Sequence, residues 1–380
     1  MKLHFTHLRL RNWRNFTEVD IKLQKRVFLV GPNASGKSNL IDVFRFLNDL
    51  VKPGGGFVSA VNNRGGVSSI RCLAARRKSN IEVSVKIGND NKPELWEYSL
   101  VFSQDKNRIP KIKGEVVKKS GEVILERPKD EEQDDAELLR QTHLEQTQSN
   151  RNFKEVFDFF RRIYYLHIVP QIIRHPDRII IARNDPYGSD FLSQIANLTE
   201  GRRKQRLKKI ENALRKVVPQ LSDLTFEIDA VGKPHIKAKY HNWRPNAGWQ
   251  TESTFSDGTL RLTGILWALF GAKGPVLLEE PELSLHPGAV KYLPQMFAMA
   301  QKRTVNQMVI SSHSYDMFTD EGIGLDETIL LIPGSEKTEV KAASDDKDLR
   351  TLLEEGLVLA DVILPYTAPS DGSQLVFAFE

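Results

Sequence analysis

The chain has a single cysteine, Cys72, among its 380 residues. That excludes an internal disulfide framework and a thiolate metal cluster. It leaves Cys72 as a small buried hydrophobe rather than a nucleophile, and a reducing cytoplasm as the expected compartment. No apolar run approaches the length of about 18 residues that spans a bilayer, so no transmembrane helix and no membrane partner are expected. The opening stretch, MKLHFTHLRLRNWRNF, alternates and carries arginines where a signal peptide needs an apolar core. Internal repeats and sustained heptads are lacking too. The net charge of +5 is small, and it permits contact with nucleic acid without requiring it.

The remaining pattern is that of a globular α/β chain. Leu3, Phe5, Leu8 and Leu10 sit among polar neighbours and predict a strand over 2–10; RVFLV (26–30) predicts a buried strand running into Gly31. After Lys37, the positions of Leu40, Ile41, Phe44 and Leu47 predict a helix with one apolar face. A glycine-rich loop is expected at 52–66, followed by two strands that form a small antiparallel sheet. The polar, acidic stretch 126–150 reads as an inserted arm, partly flexible or helical. Further on, GPVLLEE (274–280) and QMVISS (307–312) are short apolar strands that end in polar residues. Expected boundaries are an N-terminal lobe 1–104, a polar and helical insertion 105–165, a C-terminal lobe 166–340 and a C-terminal extension 341–380. The five tryptophans are expected in the core or at partner contacts.

Four motifs carry chemistry. Gly31, Pro32, Asn33, Ala34, Ser35, Gly36, Lys37 and Ser38 match G-x-x-x-x-G-K-[ST] without deviation. Glycines let the backbone wrap closely round an anion, with N–H groups and a helix N-terminus aimed at the β-phosphate. Lys37 adds charge toward the β- and γ-oxygens, and the Ser38 hydroxyl can ligate Mg²⁺. Next, VLLEEPELSLHP (276–287) ends an apolar strand in two carboxylates. Glu279 is placed to hold Mg²⁺ and Glu280 to orient and deprotonate a water. His313, just past a buried strand, can hydrogen-bond the γ-phosphate. Finally, Ser256-Asp257-Gly258-Thr259 precedes a helix and makes a second anion-binding device. One chain thus carries two phosphate grips far apart in sequence.

In that order these motifs resemble the heads of ABC-type ATPases, in the branch that holds RecF, the SMC proteins and the overcoming-lysogenization-defect ATPases. The resemblance covers about 1–104 and 160–335. It implies an ABC-ATPase head with a mixed central sheet, an N-terminal antiparallel β subdomain and a helical insertion. It also implies ATP and Mg²⁺ as cofactors, with Gly31 through Asn39 at the nucleotide. LRNWRNF (10–16) looks like the branch's opening strand and brings in Arg14 as a nucleotide contact. SDGT looks like a variant signature motif, which in this family closes over the ATP of a second copy, so Ser256, Asp257 and Gly258 would bind the partner's nucleotide in a head-to-tail homodimer. A metal-sensing glutamine is implied between the two blocks, best placed at Gln171, with Arg174 near phosphate as a weaker candidate. Ser284 and His286 would communicate across the dimer.

Two departures accompany the resemblance. The metal carboxylate is Glu279 where the family usually has Asp, and Asp257 stands where it often has Gly; slow hydrolysis is expected from both. The segment 105–160 is too short for an SMC coiled coil, and the stretch after His313 lacks a strand-borne Glu followed by an Asp-x-Asp pair, so no nuclease is expected there. The expectation is an ATPase that switches a separate effector protein, of the kind found in bacterial antiviral defence, with a RecF-like DNA repair ATPase as the alternative. The basic stretch 201–216, with eight Lys or Arg against Glu211, reads as a solvated face or a partner for the acidic arm 126–137, and leaves DNA open as a ligand.

Overall fold

The computed structural model describes residues 2–76, 80–133, 135–175, 185–241, 248–304 and 306–367. Trp243 and residues 368–380 of the expected C-terminal extension lie outside them. The chain opens with a hairpin of β1 (His4–Trp13) and β2 (Phe16–Lys22), then enters β3 (Arg26–Val30), which belongs to a different sheet. Four long strands follow, β4 (Ile81–Asn89), β5 (Lys92–Gln104), β6 (Pro110–Lys119) and β7 (Glu122–Arg127). They complete a six-stranded antiparallel sheet in the order β2-β1-β4-β5-β6-β7. A second six-stranded sheet is assembled from β8 (Tyr164–Leu166), β12 (Val276–Glu279), β13 (Met308–Ser312), β14 (Thr328–Pro333) and β15 (Thr338–Ala342) around β3, in the order β15-β14-β3-β13-β12-β8. It is parallel except at its β15 edge. A small third sheet, β9 (Leu221–Ile228), β10 (Pro234–Tyr240) and β11 (Gln250–Thr251), lies between them in sequence.

The central sheet is covered on both faces, which is why its strands read as continuous apolar runs rather than alternations. Val27, Leu29, Leu277, Val309, Ile329 and Leu331 face one core, shared with the antiparallel sheet and the helix Lys37–Val51. Phe28, Val30, Leu278, Ile310 and Leu330 face the other, shared with the helix Asp257–Gly271. In the first core, Phe5 of β1 packs against Phe44 of the phosphate-loop helix and against Phe159, each at 4.8 Å between ring centroids. Gln307, buried just before β13, fixes the two sheets to each other. Its amide donates to the Phe5 carbonyl at 2.7 Å and the Gln24 carbonyl at 2.8 Å, and its oxygen accepts from the Phe5 N–H at 2.9 Å.

Three expectations change. The segment 105–165 is not chiefly a helical insertion: β6 and β7 extend the antiparallel sheet, 130–133 and 135–153 run through short 3-10 turns, and among its described residues only Lys154–Arg161 is α-helix. The reason is a buried ion network that the composition of the arm conceals. Glu115 accepts from the N–H groups of His143 (2.8 Å) and Leu144 (3.1 Å) and from the Tyr98 hydroxyl (3.2 Å). Arg127 lies beside it and donates to the Gln141 carbonyl at 2.7 Å and the Leu138 carbonyl at 2.9 Å. The arm is therefore tied to the sheet, and its Glu132 pairs with Arg127 rather than with the basic helix. The glycine-rich stretch 52–66 also contains a helix, Phe57–Asn62, whose Phe57, Ala60 and Val61 are buried, with positive-φ glycines at its flanks. Residues 338–363, in turn, belong to the C-terminal lobe: β15 is an edge of the central sheet, and Leu349, Leu359, Val362 and Ile363 enter its second core. Cys72 is buried and free, as a small hydrophobe would be.

Removing the Glu115 carboxylate takes away the fully buried partner of Arg127, leaving it only the half-buried Glu132, and strands the N–H groups of His143 and Leu144. Glu115→Ala is expected to destabilise the chain by about 3–5 kcal/mol, and Glu115→Gln, which keeps an acceptor for the same N–H groups, by clearly less. Urea unfolding midpoints of the two variants check this.

Candidate functional site

Strand order creates the site. β13 pairs in parallel with β3 on one side (Ser311 with Leu29, Ser312 with Val30) and with β12 on the other (Glu279 with Ser311). The carboxyl ends of the three strands therefore lie side by side, and the loops leaving them share one crevice. The phosphate loop leaves β3, Glu279 and Glu280 leave β12, and His313 leaves β13.

The loop needs its glycines for space. A Cβ on Gly31 would lie 2.5 Å from the Leu331 carbonyl, and one on Gly36, at φ +99°, 2.2 Å from Asn15 Nδ2. Ala34 also has positive φ, 63°. Lys37 folds back over the loop, donating to the carbonyls of Gly31 (2.8 Å) and Pro32 (2.9 Å). Burial lowers its pKa, against the opposing pull of Glu280, Glu282 and Glu279.

Ser38 Oγ donates to Glu279 Oε1, and the Tyr165 hydroxyl donates to Glu279 Oε2 at 2.5 Å. Burial, with Glu279 beside it, pushes the Tyr165 phenol up, so it remains a donor. Glu280 has φ 43°, the left-handed region unusual for a residue with a side chain. This turn breaks the strand's alternation and brings Glu280 Oε1 to 3.3 Å from His313 Nδ1. The oxygen-only pair of Ser38 and Glu279 suits a hard cation such as Mg²⁺, which keeps much of its water and phosphate shell and takes few protein ligands. The described residues contain no group of three His, Cys, Asp or Glu placed to hold a metal ion.

Arg14 sits at the tight turn between β1 and β2, with φ 53°. It borders a polar cavity of about 430 Å³ beside Ser38 and Asn39. Its guanidinium reaches Asp42 at 3.4 Å. Asp42 is held more firmly by Arg64, whose Nη2 lies at 2.8 Å. The residue of this turn that grips the loop is Asn15. Its amide donates to the Ser35 carbonyl at 3.0 Å and to Thr338 Oγ1 at 2.7 Å, and its oxygen accepts from Asn39 at 2.8 Å. Asn15 was readable only as part of the Arg14 motif, since its partners at 35, 39 and 338 come together by folding.

The stretch Ser256–Thr259 makes its contacts with other residues than the phosphate loop does. Ser256 caps its helix, accepting from the Thr259 N–H at 3.2 Å. Gly258 packs so closely on the Ser284 carbonyl that a Cβ would lie 2.8 Å from it. Asp257 is neutralised by Arg174 at 2.6 Å and accepts from the Gln171 amide at 3.0 Å. Gln171 is thus joined to the signature acid rather than to Ser38 and Glu279, because the short helix Pro170–Arg174 directs it there; the neighbour strand's contribution to Glu279 is Tyr165. Arg174 serves as counter-ion to Asp257. Ser284 has φ 63°, and His286 accepts from the Gly288 N–H at 3.0 Å as a helix cap.

Glu282 was not singled out from the sequence, yet it is a buried hub. Its Oε1 accepts from Ser312 Oγ at 2.6 Å and faces the His313 N–H at 3.4 Å, while Oε2 is buried without a partner among the described residues. Burial raises its pKa. Only its place in EEPE, two residues beyond Glu280, signalled it.

Comparison with known proteins fits this arrangement. A family model described as "AAA domain, putative AbiEii toxin, Type IV TA system" matches residues 26–316. The chromosome partition protein Smc of Methanocaldococcus jannaschii is 24% identical over 233 residues, a match that covers 60% of this chain and 18% of that protein. Among solved structures, an Smc head bound to the C-winged helix domain of ScpA superposes with a TM-score of 0.55 at 14% identity, over 89% of this chain and 97% of that one. An Smc head with an extended coiled coil, bound to the C-terminal domain of ScpA from Pyrococcus furiosus, gives 0.52 at 13% identity over 93% and 100%. The Smc head of Pyrococcus yayanosii gives 0.52 at 12% identity over 94% and 100%. At such identity the structural likeness concerns the fold. The family match, by contrast, spans the phosphate loop, both carboxylates and His313, and this chain belongs to that AAA-domain family of AbiEii type.

Proposed function

We propose that this chain binds ATP with Mg²⁺, closes head-to-tail with a second copy around the nucleotide, hydrolyses it slowly and thereby switches a separate effector protein, in the setting of anti-phage defence. One observation carries the dimer. The two phosphate grips of the chain engage different neighbours: Gly31–Ser38 meets Glu279 and Asn15, whereas Ser256, Asp257 and Gly258 are bound to Thr259, Arg174, Gln171 and Ser284 of their own lobe. A second copy supplies the missing half of each site.

In this reading Lys37 exchanges the Gly31 and Pro32 carbonyls for phosphate oxygens. Ser38 and Glu279 hold the metal, which when bound neutralises charge on the β- and γ-phosphates. Glu280 takes the proton of the attacking water, and His313 beside it meets the γ-phosphate. Arg174 screens Asp257 from the incoming phosphate. The extra methylene of Glu279 and the acid at Asp257 both favour slow turnover. A separate effector is favoured by the family description, which names a toxin and a TA system, and by two similar heads that carry a domain of a second protein, ScpA. A DNA-dependent reading draws on the helix Glu200–Leu214, where Arg202 and Lys209 are exposed.

Glu280→Gln is expected to lower ATP hydrolysis at least about 100-fold, the span of general-base catalysis, and to double the mass seen by light scattering when ATP and Mg²⁺ are present. Unchanged hydrolysis removes Glu280 as the base, and an unchanged mass removes the dimer. Turnover that rises on adding DNA and falls steeply with salt moves the assignment to the DNA-dependent reading. Asn15→Ala removes the brace of the phosphate loop. It is expected to cost about 1–3 kcal/mol of stability and to weaken binding of a fluorescent ATP analogue about tenfold or more.

A further inference from the structure

We propose that Tyr165 is the positioning residue of the metal-site carboxylate, adapting a site with glutamate in place of aspartate. This inference rests on the ATPase reading and deepens it. β8 pairs in parallel with β12 so that Tyr165 sits beside Leu277. Residues two apart on a strand share a face, so Glu279 projects to the same side as Leu277 and its neighbour Tyr165. That side faces the helix Lys37–Val51, which carries Ser38 and Arg45.

Glutamate has one more rotatable bond than aspartate, and a longer carboxylate can drift away from a cation. Here both of its oxygens are assigned. Oε1 meets the Ser38 hydroxyl, and Oε2 receives the Tyr165 hydroxyl at 2.5 Å. The tyrosine is itself fixed from its open side: the Arg45 guanidinium lies 4.1 Å from the ring centroid. Such stacking favours the ring's position, and the Arg45 charge sits about two helical turns from Ser38 without pairing to Glu279. The result is a chain of contacts from Arg45 through Tyr165 to Glu279 and Ser38. It leaves Oε1 facing the serine hydroxyl, where the metal is to be shared. Hydrogen-bonded partners of metal-ligating carboxylates typically contribute 10–100-fold to metal affinity.

The test uses Mn²⁺ as a spectroscopic stand-in for Mg²⁺, titrated into the full-length protein with ADP present and followed by electron paramagnetic resonance. Nucleotide affinity is measured separately in EDTA. Tyr165→Phe keeps the ring over Arg45 and loses only the hydroxyl. It is expected to weaken Mn²⁺ binding about tenfold or more, with ADP affinity in EDTA and the melting temperature unchanged. In a Glu279→Asp background, whose shorter carboxylate leaves the hydroxyl behind, the same substitution is expected to change Mn²⁺ affinity less than twofold.

Equal Mn²⁺ affinity in wild type and Tyr165→Phe overturns the proposal. So does a loss of ADP affinity in EDTA matching the loss of metal, which makes Tyr165 a fold residue, and so does an undiminished effect in the Asp background. If the wild-type protein itself binds no Mn²⁺ with ADP, the nucleotide–metal reading fails, and that result is distinct from all three.

Discussion

The in-register pairing of β13 between β3 and β12 places Val30, Ser312 and Glu279 at neighbouring strand ends. A one-residue slip in either ladder would turn every side chain to the opposite face. It would exchange Phe28 and Leu29 between two finished cores, so the apolar contacts on both sides enforce the register. The site inherits its precision from this constraint. Lys37 lies over the end of β3, Glu279 Oε1 meets Ser38, and His313 stands against Glu280, each within hydrogen-bond or ion-pair distance.

Around that centre the chain places groups whose ordinary preferences conflict with their positions. Glu280 takes a left-handed backbone, Ser284 another, and Glu282 keeps a buried oxygen without a partner among the described residues. Strain and unsatisfied polarity of this kind persist only where the surroundings over-determine them, and they cluster at functional sites. All three lie within five residues, on the turn that leaves β12. Gly258, at the start of the helix Asp257–Gly271, packs on the Ser284 carbonyl of that segment.

The antiparallel sheet acts as a brace. Gln307 binds it to the start of β13, and Asn15, in its first hairpin turn, binds it to the phosphate loop and to Thr338. The buried Glu115–Arg127 pair secures the far edge and gathers the acidic arm onto it. The arm's polarity predicts an insertion that is partly flexible or helical, but its backbone N–H and C=O groups are the ligands of that pair.

The phosphate loop, the helix behind it, the strands that end in Glu279 and Ser312 and the capped signature helix were legible in the sequence. Each is set by local rules: glycine where the backbone must approach an anion, period 3.6 on a helix, an unbroken apolar run for a strand covered on both faces. Tertiary structure alone decided which polar side chains meet. Gln171 and Arg174 were readable as candidates, but their common partner was Asp257. Arg14 was readable, but the grip on the loop came from Asn15. Tyr165 became visible only once β8 and β12 were paired, because a hydrogen bond between residues 114 positions apart leaves no period in the sequence.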